Sequence, residues 1–132
     1  MAFVGKKTWS AADVLSASDM NSLVTQTGAF LGTATASTAY TIGSADAWDT
    51  IRFTNATAAV VTIGTAAGMA VNDRFDVFRD GGTVTLVFGS GITAAANGTA
   101  RTAGTFTIGT QYTGCTVWYA DTNVYRIIGQ VS

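Results

Sequence analysis

Residues 74–89 read RFDVFRDGGTVTLVFG, and the way this stretch folds decides the rest of the chain. Its two flanks are short runs rich in β-branched and aromatic residues, the composition of half-buried strands. Between them Asp80-Gly81-Gly82 is turn chemistry. The local expectation is a hairpin joining Phe75–Arg79 to Thr83–Phe88. In the first run Arg74 and Asp76 share the face opposite Phe75 and Val77, which suits a surface ion pair.

Outward from this stretch the same grammar repeats. IRFTN puts Ile51 and Phe53 on one face and Arg52 and Thr54 on the other. AVVTIG precedes the central stretch, and GIT, TFTIG, CTVWYA and VYRIIGQV follow it. Asn97-Gly98 and Asp121-Thr122-Asn123 supply further turns. Seven or eight short strands at this spacing imply a mainly β protein, a small antiparallel β-sandwich or barrel. Thr33 to Ser37 reads as a Thr/Ala spacer. Thr-Ile-Gly occurs at Thr41–Gly43, Thr62–Gly64 and Thr107–Gly109; the unequal spacing argues against a solenoid and for one strand-ending solution used three times.

The composition fits. Of 132 residues only 11% are charged, Ala and Thr make up about a third, and there is no Glu, His or Pro. All eight acidic residues are Asp, the acid of turns and caps. With so many small side chains the core of residues 33–132 reads as thin, and self-association would add burial. The closing run Val124–Gly129 is apolar on both faces, as in a strand covered on both sides. Trp118, Tyr125, Ile127 and Ile128 are therefore the candidate subunit contacts.

Residues 1–32 are written differently. Lys6 and Lys7 stand at the front, and Ser10 with Asp13 and Ser16 with Asp19 match helix-start signals. Met20, Leu23, Val24, Thr27, Phe30 and Leu31 then fall on one helical stripe, with Gly32 as a stop. A short amphipathic helix is stable only when its stripe is packed on something. The chain thus divides into an attachment arm with one short helix, 1–32, and a displayed β-domain, 33–132. Lys6, Lys7, Trp9, Val14, Leu15, Met20, Leu23 and Val24 are the candidate attachment residues. The segment lacks the long apolar core of a secretory signal or membrane span, so the expectation is a protein made soluble in a cytoplasm.

Catalytic, metal and cofactor patterns are weak. Cys115 is the lone cysteine, and without His it lacks the usual activating base and zinc co-ligand, so it reads as a small buried residue. Asp73 and Asp76 point to opposite faces of an extended strand, which disfavours a carboxylate pair or calcium site. Gly89-Ser90-Gly91 lacks the ending of a phosphate loop. A net charge of -1 does not suggest a dominant basic surface for nucleic acid. Tyr40, Trp48, Tyr112, Trp118, Tyr119 and Tyr125 suit core or subunit contact, with a sugar-stacking platform as the alternative.

Two stretches carry a family resemblance. Thr8–Asn21 (TWSAADVLSASDMN) resembles a segment near the N-terminus of many structural proteins of tailed bacteriophages, with Ala12 where Gly is usual. Residues 51–129 are similar to small β-domains that end phage tail fibres and minor tail proteins and that also occur as capsid decorations. The carriers are Ile51–Asn55, Val71–Phe75, Gly82–Gly91 and Ile127-Ile128-Gly129, with Asn72 where Gly often precedes the Asp. The resemblance implies a homotrimer without catalytic residues or cofactors, located in the virion and bound to the major capsid protein or to tail proteins. It leaves two roles open: a capsid decoration seated by its N-terminal segments, or a tail or fibre-tip protein that binds a host surface glycan or protein. Neither nucleic acid nor membrane is an expected partner.

Overall fold

The structure, a computed structural model, describes residues 33–132. They form eleven strands: β1 Thr33–Thr35, β2 Ala39–Thr41, β3 Thr50–Phe53, β4 Ala59–Ile63, β5 Arg74–Arg79, β6 Val84–Phe88, β7 Thr93–Ala96, β8 Thr99–Thr102, β9 Thr105–Ile108, β10 Thr113–Asp121 and β11 Val124–Gly129. A short 3-10 turn, Ser44–Asp46, lies between β2 and β3. The mainly β expectation is met; the expected arm and helix lie outside the described residues.

The strands make two sheets, a larger one in the order β1-β3-β5-β10-β11-β7-β8 and a smaller one in the order β2-β4-β6-β9. From β1 to β6 the chain crosses to the other sheet at every step. Successive strands within a sheet therefore run the same way. The β1–β3, β3–β5, β7–β11, β2–β4 and β4–β6 ladders are parallel. Antiparallel pairing is confined to β5–β10, β10–β11, β6–β9 and β7–β8. The sheets are thus mixed, which corrects the antiparallel expectation. Parallel neighbours need a crossover, commonly a helix; here a strand of the opposite sheet fills that role.

The central stretch shows the correction most plainly. Arg74–Arg79 belongs to the larger sheet and Val84–Phe88 to the smaller one, so Asp80-Gly81-Gly82 is a crossing between layers and not a hairpin. The other two turns are as read. Asn97-Gly98, with φ of 49° and 79°, joins β7 to β8, and the Asp121–Asn123 stretch links β10 to β11. Both φ values suit the two-residue turn that matches strand twist.

The Thr-Ile-Gly copies are also partly in register. Thr41 is paired with Thr62, and Ile63 with Phe88, so Ile42, Ile63 and Phe88 end neighbouring parallel strands, each followed by Gly. Two of the three copies therefore occupy equivalent positions on neighbouring parallel strands joined by loops of different length. The third, at Thr107–Gly109, lies on antiparallel β9.

One core joins the layers. It holds Phe53, Phe75, Phe88, Phe106 and Leu86, with isoleucines 42, 51, 63, 92 and 108, all almost fully buried. Phe88 of the smaller sheet meets Tyr125 of the larger at 5.5 Å between ring centroids. The core is well supplied with large side chains, against the expectation of a thin one, although Ala59, Ala94 and Ala96 take inward positions as that expectation held. Ser132 closes the smaller sheet by exchanging backbone hydrogen bonds of 3.0 and 3.1 Å with Thr107 of β9.

Candidate functional site

The outer face of the larger sheet is where unusual side chains gather. Register sets Arg74 of β5 and Arg126 of β11 on either side of Trp118 of β10. One row along, Thr50, Asp76, Thr116 and Ile128 follow one another across β3, β5, β10 and β11. The next row carries Arg52, Phe78 and Gly114. Three of these side chains are exposed apolar groups: Trp118 at 37%, Phe78 at 40% and Ile128 at 68%.

Beside the Arg74 row lies a shallow depression of about 400 Å³ whose lining includes Trp48, Asn72, Arg74, Trp118 and Ile128. A smaller one of about 290 Å³ adjoins it through Trp48, Arg74 and Thr116, adding Asp49 and Asp76. Trp48 organises the rim. Its φ of 66° is left-handed, an outlier for so bulky a residue. Its N–H donates to the Arg74 carbonyl at 2.6 Å and its indole N–H to Asp73 Oδ1 at 3.0 Å. The Arg74 guanidinium lies 4.7 Å above the Trp48 ring centre. That stacking holds the guanidinium plane and leaves its edge donors unused among the described residues.

The carboxylates are held by structural partners. Asp76 accepts from the Thr116 hydroxyl at 2.6 Å and the Thr50 hydroxyl at 3.3 Å, so Arg74 stacks on Trp48 instead of making the expected ion pair. Asp73 also accepts from the Ala70 N–H, and Asp80 pairs with Arg52 at 2.5 Å. Buried Asp46 takes the Tyr40 hydroxyl at 2.6 Å and the Gly43 N–H at 2.7 Å. Burial, then that hydrogen bond and the charges of Asp46 and Asp49, push the Tyr40 phenol up to about 12. Cys115 is buried, and burial together with the Asp76 charge pushes its thiol up to about 12. A thiol so raised is a poor nucleophile near neutral pH. Among the described residues no group of three or more His, Cys, Asp or Glu could hold a metal ion, and no helix is long and apolar enough to cross a membrane.

The four candidate subunit contacts separate. Trp118 and Ile128 face outward, but Tyr125 and Ile127, at 2% and 4% exposure, are consumed by the chain's own core. The pleat accounts for this, since alternate residues of β11 must point inward; the run is not apolar on two open faces, because Arg126 shares the outer one. The attachment candidates Lys6, Lys7, Trp9, Val14, Leu15, Met20, Leu23 and Val24 lie outside the described residues. The stacked Arg74–Trp48 pair was not legible, since it joins residues far apart in the chain; the one local signal was the alternation that turns Arg74 outward. Comparison with protein-family models, curated proteins and solved structures gave no match to this chain.

Proposed function

We propose that this is a non-enzymatic structural protein of a tailed-phage virion: a trimeric capsid decoration that attaches through residues 1–32 and displays residues 33–132. The observation that carries this reading is the outer face of the larger sheet. The domain fills its own core, yet gathers Phe78, Trp118 and Ile128 on one outer surface. Contiguous exposed apolar groups mark contact surfaces. Phe78 lies beside Gly114, which has no side chain, and this part of the face, away from the Trp118 depression, is assigned to contact between copies. The resemblance of Thr8–Asn21 and of residues 51–129 to phage virion proteins supports the location. Three arms joined in one trimer would raise overall attachment by about 10²–10⁴-fold over a single arm.

The depression beside Trp118 favours a second reading, a minor tail or fibre-tip protein that binds a host surface. Immunogold electron microscopy of virions, with antibody raised against residues 33–132, separates the two. Label spread over the head supports decoration, and label at the tail tip supports the second reading. Particles without label overturn both.

A further inference from the structure

We infer that the depression lined by Trp48, Arg74, Asn72 and Trp118 is a binding site for a neutral pyranose unit of a glycan. The inference concerns the ligand and holds whether the protein sits on head or tail. Its first support is an aromatic platform in the middle of a sheet. Trp118 is 37% exposed and is flanked by bonded strands on both sides, so no peptide can approach it by strand addition. A flat indole on an open surface suits the C–H face of a sugar ring, with the polar groups at its edge reaching hydroxyls.

The second support is the arrangement of hydrogen-bonding groups. The edge donors of Arg74 and the indole N–H of Trp118 meet no acceptor among the described residues, and the Asn72 side chain makes no hydrogen bond there. In the adjoining depression, Asp76 keeps acceptor capacity beyond its two threonine hydroxyls. Donors and acceptors around one ring are what a polyhydroxylated ligand needs.

The third is charge. Arg74 and Arg126 flank Trp118, while Asp73 and Asp76 stand beside Arg74 on its own segment. With Asp49 in the adjoining depression, two positive groups stand among three negative ones, so no cluster of one sign draws in a charged partner. The ligand is therefore neutral, and its binding is insensitive to salt.

The left-handed Trp48 completes the case. Backbone conformations of this kind persist where surrounding structure over-determines them, and they cluster at ligand sites. Here the consequence is visible: Trp48 supplies the surface on which the Arg74 guanidinium lies.

The test uses the full chain labelled with ¹⁵N. It has three tryptophans and hence three indole N–H signals; Trp118→Phe and Trp48→Phe assign two of them. The probes are neutral tetrasaccharides of glucose, galactose, mannose and N-acetylglucosamine, with tetragalacturonate and a tetra-aspartate peptide as charged controls. The expected result is saturable movement of the Trp118 and Trp48 signals with at least one neutral probe, unchanged by salt. Trp118→Ala and Arg74→Gln, with the thermal midpoint of each measured to show that it folds, should weaken binding by about tenfold or more. The inference is overturned if no neutral probe moves these signals, if only the charged controls do, or if Trp118 is covered by a second copy at the working concentration. Sedimentation velocity of the Trp118→Ala variant reads the last outcome. Virion labelling is independent of all these outcomes, so failure here and failure of the virion reading are distinguishable.

Discussion

Replacing Gly81 by alanine probes the crossing between the two sheets. Neither Gly81 nor Gly82 has a positive φ, so left-handed freedom is not what these positions need. They need closeness. A Cβ on Gly81 would lie 2.0 Å from the Asn55 carbonyl oxygen, and one on Gly82 would lie 2.5 Å from the Ala56 carbonyl oxygen. Both obstacles are backbone, so no side chain can swing aside. Relief requires parting the 80–82 crossing from the 54–57 connection, which strains the Gly81 N–H bond to Phe53 (3.0 Å) and the Gly82 N–H bond to Asn55 (2.7 Å). Overpacking costs about 1–3 kcal/mol and each lost bond about 1 kcal/mol, so Gly81→Ala should cost about 3–5 kcal/mol. At about 4–8 °C per kcal/mol for a domain of this size, the thermal midpoint should fall by at least about 12 °C. Gly98→Ala is the control: its φ is +79° but nothing lies within 4 Å of the added Cβ. Only the left-handed penalty applies there, about 1–2 kcal/mol. Thermal unfolding followed by circular dichroism compares the two. If Gly98→Ala proved the more damaging, the crossing would be refuted and a free hairpin at Gly81 restored.

Adjacent isoleucines on β11 should behave oppositely. Ile127→Ala, in the core, should cost about 2–5 kcal/mol in chemical denaturation, whereas exposed Ile128→Ala should stay within about 0.5 kcal/mol. Equal costs would contradict the alternation. Cys115, with its thiol pushed up to about 12, should resist dithiobis-nitrobenzoate in the native protein at about pH 8 and react fully on unfolding. Prompt native labelling would contradict its burial. Tyr40→Phe removes the hydroxyl that donates to buried Asp46 and should cost about 1.5–3 kcal/mol. Tyr40 and Tyr125, the latter raised by burial and then by Tyr119, both stand near 12 against 10.0 for an ordinary phenol. Their neutral forms are favoured by folding, so this stability is complete below about pH 10 and is lost as pH rises through about 12. Denaturant midpoints measured from about pH 9 upward should fall across that window, and a flat or rising profile would count against these environments.

Which features could be read from the sequence follows from the range of the interactions. The faces of Ile51 and Phe53 against Arg52 and Thr54 were legible because the strand period is local, and Asn97-Gly98 because its turn demands those residues. Parallel pairing was not. Ile51 finds Val77 across a whole strand of the other sheet, and nothing near either residue marks the partner. The glycines after Asp80 misled because close backbone approach and left-handed turning select the same residue. Core size was misjudged for a related reason: composition averages over faces, while β1 and β8 spend Thr and Ala on short edge strands and most inward positions, Ala59, Ala94 and Ala96 apart, keep large apolar residues.

The two outer faces show what the fold does and does not require. On the smaller sheet, Thr41, Val60, Thr62, Thr85, Val87, Thr105 and Thr107 point away from the core. β-branched residues suit a pleated surface on propensity alone, and they account for a chain with little charge and much Thr. Had stability been the only demand, the larger sheet could carry the same lining. Its middle strands instead carry Arg74, Phe78, Trp118, Arg126 and Ile128, long side chains that cost rotamer freedom when ordered and add nothing to a core already closed beneath them. Trp48 adds a left-handed backbone on the same side. Exposed apolar area, a left-handed tryptophan and, among the described residues, an unused guanidinium edge therefore coincide on one face. The Trp48 conformation is held by its own bonds to Arg74 and Asp73, while the exposed apolar area is what the proposed contact surface would account for.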